Sequence, residues 1–182
     1  MRYLAKGRYA MRRLLIGLLF GLLFLAATVG AQTRTFTKEG IEYTLDLPSS
    51  SWQPVARIDV HDHLDFINGT DIANGYLRLR KILVDPGTTA ADIFQRDEKW
   101  DLQRLPGYVV CSECKGETFE GQFTGTAFSY EYVSGGKAMA GRAYYLQLDK
   151  RIFYSLRFTV ARDRLQSIRD QMDVIARSFR LK

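Results

Sequence analysis

Between Thr124 and Val160 the chain is a run of aromatic, branched and small residues interrupted by two short turn signals, Ser134-Gly135-Gly136-Lys137 and Asp149-Lys150. Connections this short force neighbouring strands to run antiparallel, because a parallel return needs a dozen or more residues. Strands are predicted at Thr124–Val133, Ala138–Leu148 and Arg151–Val160. Side chains alternate across a strand, so Phe128, Tyr130 and Tyr132 share one face of the first. Ile152, Tyr154, Leu156 and Phe158 share one face of the third, as suits a covered, pleated surface.

The remaining segments must pack on that meander. Ile41 to Leu47 alternates apolar and polar residues and ends at Pro48 and three serines, which predicts a half-buried strand. Trp52 is expected to anchor the following loop on the core. Residues 57–67 and 76–84 read as two strands joined through Asn68-Gly69 and Asn74-Gly75, with Leu77 and Leu79 alternating with Arg78 and Arg80. Thr89 followed three residues later by Asp92 is a capping-box variant. It opens a helix predicted from Ala90 to Leu105, stopped at Pro106-Gly107, with Ala90, Ile93, Phe94, Trp100 and Leu105 as its inner stripe. A second helix is marked by Leu165, Ile168, Met172, Ile175 and Phe179, spaced 3, 4, 3, 4, leaving Arg164, Arg169, Asp170 and Arg177 for water. The order of elements predicts an α+β fold: one domain in which an antiparallel β-sheet is sandwiched by helices.

The first 31 residues follow another logic. Residues 1–13 are basic, residues 14–29 form the nearly unbroken apolar run LLIGLLFGLLFLAATV, and small residues precede Gln32. That is the layout of a signal peptide, with cleavage expected between Ala31 and Gln32. A retained anchor is the alternative, although the run falls short of the ~20 residues usual for a span. Five of the 26 Lys and Arg lie in this segment, leaving 21 basic against 20 acidic residues in the single domain at 32–182. A near-neutral body lacks the cationic surplus that phosphate neutralisation requires, so a nucleic-acid partner is excluded. An apolar content of 46% excludes a disordered chain.

Several ordered segments resemble the PsbP-like family, which includes DcrB-like periplasmic proteins and a nuclear Ran-release factor. They are Phe36 to Pro48 with Trp52, Thr88 to Arg104, Gly121 to Tyr132 with Gly141-Arg142-Ala143-Tyr144-Tyr145, and Ile168 to Leu181 with Ile175-Ala176-Arg177-Ser178-Phe179. The resemblance implies an α/β/α sandwich used for binding or assembly in extracytoplasmic proteins. It carries no catalytic motif, and the metal- and partner-binding positions of the plant members have no match here.

Three constellations could carry chemistry. Cys111-Ser112-Glu113-Cys114 lacks the following helix that activates a thioredoxin-type thiol. In an oxidising compartment Cys111 and Cys114 are expected to form a local disulfide, with free thiols or a redox or metal role as alternatives. His61 and His63, at i and i+2 on a strand, point the same way and with the two cysteines would complete a Cys2His2 set. That makes these four residues weak metal candidates in a chain otherwise read as free of metal and cofactor. Asp97 and Asp101, one helical turn apart, are read as partners for Arg78, Arg80 or Arg142 rather than as an acid–base pair. Asn68-Gly69-Thr70 fits a glycosylation sequon but also a turn, and the tyrosines at strand spacing read as core. No phosphate loop, serine elbow or HExxH motif occurs, and no catalytic residue is assigned.

The sequence thus reads as an exported periplasmic or extracellular module that binds an envelope protein or a small ligand without bond-making. It would meet a membrane only through an uncleaved leader. The alternative class is a redox- or metal-handling protein using Cys111, Cys114, His61 and His63.

Overall fold

The computed structural model describes residues 33–56, 64–111 and 116–182, which belong to one compact unit spanning Gln32–Lys182. The leader and its cleavage point therefore lie outside the described residues. Along the chain the elements are β1 (Arg34–Phe36), β2 (Tyr43–Leu47), β3 (Trp52–Ala56), β4 (Leu64–Asn68), β5 (Tyr76–Leu83) and α1 (Ala90–Trp100). They continue with β6 (Val109–Val110), β7 (Glu117–Glu120), β8 (Thr124–Ser134), β9 (Lys137–Gln147), β10 (Ile152–Ala161), α2 (Leu165–Ser178) and β11 (Arg180–Leu181).

The meander forms as its turns dictate. Gly135 and Gly136, at φ 57° and 75°, make the two-residue loop between β8 and β9, where both positions need the left-handed region that glycine enters without penalty. β8, β9 and β10 pair antiparallel, and β5 pairs on the far side of β10. The full sheet has the order β3-β4-β5-β10-β9-β8-β6, with β7 also on β8. A second sheet, β1-β2-β11, ties the chain's last strand to its first segment.

Both faces of the large sheet are covered. On one face α2 and β2 meet Leu77, Tyr144, Tyr154, Leu156 and Phe158, with Ile168, Met172 and Ile175 as the buried stripe of the helix. Trp52 is fully buried there, edge-on to Phe158, and its indole N–H donates to Gln171 Oε1 at 3.0 Å across the interface. On the other face α1 lays Ile93 and Phe94 on Phe128, Tyr145 and Phe153, with Phe94 and Phe128 stacked 4.1 Å apart. Each such side chain, taken wholly out of water, contributes roughly 1.5–3 kcal/mol.

The helices differ from the sequence reading in two respects. The capping box at Thr89 and Asp92 forms in full, but α1 ends at Trp100, and a 3-10 turn at Leu102–Arg104 follows. Leu102 is buried in the place expected for Trp100, which is 56% exposed with the Lys99 ammonium over its ring. Asp97, expected on or beside the inner stripe, is buried there, because partners on the sheet satisfy its charge. On α2, Arg164, Asp170 and Arg177 are exposed as expected, whereas Arg169 is half-buried. Arg169 reaches Glu117 at 2.9 Å, and Arg177 lies over the Phe119 ring and donates to the Glu120 carbonyl. The approach is close because Gly121 has no side chain: a Cβ there would stand 2.8 Å from the Arg177 backbone.

Candidate functional site

The densest set of ionisable groups under α1 centres on Asp97. Its carboxylate accepts from Arg157 at 2.6 Å and from the Tyr145 hydroxyl at 2.8 Å, with Arg80 at 3.6 Å. Asp101, one turn on, lies 3.6 Å from Arg80 and 3.8 Å from Arg157. Burial, reinforced by the Asp97 charge, raises the Tyr145 hydroxyl well above its ordinary range. Burial alone would lower Arg157, but Tyr130, Tyr145 and Asp97 more than offset this and keep it a cation. The group is thus two carboxylates against two guanidiniums, closed by a phenol. It locks α1 to β5, β9 and β10, although the buried Arg157 Nε is left without a hydrogen-bond acceptor.

Of the three arginines expected to face Asp97 and Asp101, Arg80 does. Arg78 turns instead to Asp65 of β4, which also accepts from the Tyr76 hydroxyl. Arg142 is on the opposite face, because strand alternation groups it with Tyr144 rather than Tyr145. There it is 3% exposed and donates to Glu117 at 2.7 Å, to Ser129 at 3.0 Å and to Tyr144 at 2.7 Å, with Asp173 of α2 at 3.7 Å. The hydrogen bond from Arg142 holds the Glu117 carboxyl below its usual range despite partial burial. Arg157, the main partner of Asp97, escapes a sequence reading that tracks only the apolar face of β10.

Cys111 continues the pairing of β6, its N–H donating to the Ser129 carbonyl at 3.1 Å. Cys114, His61 and His63 lie outside the described residues, as do the partners that a disulfide or zinc set would require. Among the described residues no three His, Cys, Asp or Glu side chains gather as a metal site, and no helix is long and apolar enough to cross a membrane.

Two recesses flank α1. One, of about 570 Å³, lies at its N-terminal end between Thr89, Thr124, Gln147 and Lys150. The other, of about 500 Å³, lies between the flank of α1 and the β6–β8 edge. Phe94 and Phe128 line its floor, and Gln95 and Glu98 stand on its helical side. The Tyr108 hydroxyl donates to Glu98 at 3.2 Å. Burial, then the Glu98 charge, raises Tyr108 above its ordinary range, so the phenol stays a neutral donor.

No family model and no curated protein matches the chain. Solved structures do. LpqN of Mycobacterium tuberculosis, involved in cell envelope biogenesis, aligns over 83% of this chain and 91% of its own, with 18% identity and a TM-score of 0.53. The cyanobacterial PsbP (CyanoP) of Synechocystis sp. PCC 6803 aligns over 86% and 97%, with 13% identity and a TM-score of 0.57. The Ran-binding protein Mog1p of Saccharomyces cerevisiae aligns over 83% and 96%, with 9% identity and a TM-score of 0.59. At these identities the likeness is one of fold. The chain has the PsbP/Mog1-like fold that the sequence resemblance implied, with the antiparallel sheet between helices that its turn and helix patterns predict.

Proposed function

We propose that the chain is an exported envelope module that works by contact with another molecule rather than by catalysis. The observation that carries this reading is the fold likeness to LpqN, a protein involved in cell envelope biogenesis, over 83% of this chain, joined to an N-terminal basic–apolar–small leader. The chemistry of the interior supports it. Asp97 and Glu117 at the two helix–sheet interfaces bind arginines, and the buried phenols Tyr145 and Tyr144 are held protonated. Groups arranged in this way fasten layers together and are poorly placed to move protons on a substrate. Folds of this kind host unrelated partners, so the partner must be read from the surface and not from the architecture.

The test is whole-cell chemical cross-linking of the full chain carrying a C-terminal tag, followed by fractionation. The reading predicts tagged chain in the envelope or secreted fraction, shifted into cross-linked species of defined mass. A chain recovered as an uncross-linked cytoplasmic species would overturn it.

A further inference from the structure

We infer that the recess between α1 and the β6–β8 edge is a binding site for a small amphipathic cation: an aromatic or short apolar group carrying a primary ammonium. The inference does not depend on export or on a protein partner.

The first argument is shape. At about 500 Å³ the recess falls within the ~300–1,000 Å³ range of small-molecule sites, and apolar side chains floor it while a few polar groups converge at one side. Phe94 and Phe128 are stacked and 4% and 5% exposed, so the floor is rigid and largely dry. Gly116 keeps the space open. A Cβ at that position would touch the Phe128 ring and the Thr126 methyl, both at 3.7 Å, and so stand over the floor.

The second argument is charge. Among the described residues, Asp46, Asp65, Asp97, Glu98, Glu117, Glu131 and Asp173 are the carboxylates that are buried or half-buried. Six of the seven have an arginine within 3.8 Å. Glu98 is the exception. Its partner is the neutral Tyr108 hydroxyl, which satisfies one lone pair and leaves the charge uncompensated. The described residues around it in the recess are apolar or neutral. A partly desolvated carboxylate at the rim of an apolar floor favours an ammonium through a charge-assisted hydrogen bond, while the floor takes the apolar group. The neighbouring Gln95 carbonyl and Thr126 hydroxyl can accept the remaining ammonium protons. An anionic ligand would meet the Glu98 charge with no cation among the described lining residues to offset it.

The probes are 2-phenylethylamine and the similarly sized anion 3-phenylpropionate, titrated into isotopically labelled protein purified in the form the cell produces. The inference predicts saturable shifts of the Ala91, Gln95, Gly116 and Thr126 amide signals by the amine. It also predicts affinity about tenfold above that of the anion, the size expected for one charged hydrogen bond. Glu98→Gln should remove the preference. Ala91→Trp, at an exposed helical position, should occlude the recess and weaken both probes. Shifts centred elsewhere, equal affinity for amine and acid in the unaltered protein, or a preference surviving Glu98→Gln would overturn it. Any of these would leave the envelope reading intact, since fractionation and cross-linking test that separately.

Discussion

Removing the Asp97 carboxylate should be costly. Asp97→Ala takes the nearest counter-ion from Arg157, whose side chain is 13% exposed, and the acceptor from the Tyr145 hydroxyl. Breaking a buried ion pair from one side costs about 3–5 kcal/mol, since the surviving charge loses its compensation. Asp101 stays 3.8 Å from Arg157 and is itself half exposed, so it recovers part of that cost and favours the lower end of the range. The unpaired phenol adds part of the ~1–3 kcal/mol of an unsatisfied buried donor, giving a total of about 3 kcal/mol. That corresponds to a fall in Tm of roughly 6–12 °C for a domain of this size. Urea unfolding followed by the fluorescence of buried Trp52 measures it, with the slope unchanged if the native layers persist. Asp97→Asn should cost less, because its amide oxygen still accepts from Tyr145. The decisive comparison is Asp97→Leu combined with Arg157→Met, which removes both charges and should be much milder than the sum of the single changes. A loss under about 1 kcal/mol for Asp97→Ala, or strict additivity in the double variant, would refute the reading of this group as a mutually dependent latch.

Other consequences follow from single contacts. Gly141→Ala should destabilise by about 2–4 kcal/mol in the same assay, because the added Cβ would collide with the Tyr130 ring; Tyr130→Ala in that background should restore part of the loss. Gln171→Leu should cost roughly 1–2 kcal/mol by leaving the Trp52 indole N–H without its acceptor, and a shifted Trp52 emission should accompany it. The Glu117 carboxyl has its folded pKa lowered by Arg142, so its stabilisation is complete above the ordinary glutamate range and is lost as pH falls through the lowered value. Acid unfolding should therefore be less steep in Glu117→Gln, with little difference between the two proteins' pH slopes near neutrality.

How much of this was visible in the sequence depended on the distance over which each signal acts. The Gly135-Gly136 turn, the Thr89–Asp92 cap and the Leu165-to-Phe179 stripe are local patterns, and each element they mark formed within a few residues of its expected bounds. Of the small sheet only its central strand β2 was legible. Its strands β1 and β11 have three and two residues, too short to show a period, and the β2–β11 pairing joins residues from opposite ends of the domain. The charge partners fell between these cases. Strand alternation within the meander places Arg157 beside Ala143, on the face of Tyr145 and away from Arg142, so counting faces would have found it. That Asp97 would face arginines of the sheet was legible from its place on the helix, and what the sequence reading lacked was that Arg157 would be the nearest of them. The recess at Gly116 left no mark beyond a single glycine, since it arises from how far α1 stands from the sheet edge.

The central claim is that the folded domain acts outside the cytoplasm. The most direct measurement fuses alkaline phosphatase, which gains activity only after export, to the C-terminus of the full chain and of a chain lacking residues 1–31. The account predicts high phosphatase activity for the full chain and background activity for the shortened one. Background activity in both, with the fusion intact in the cytoplasm, would contradict it.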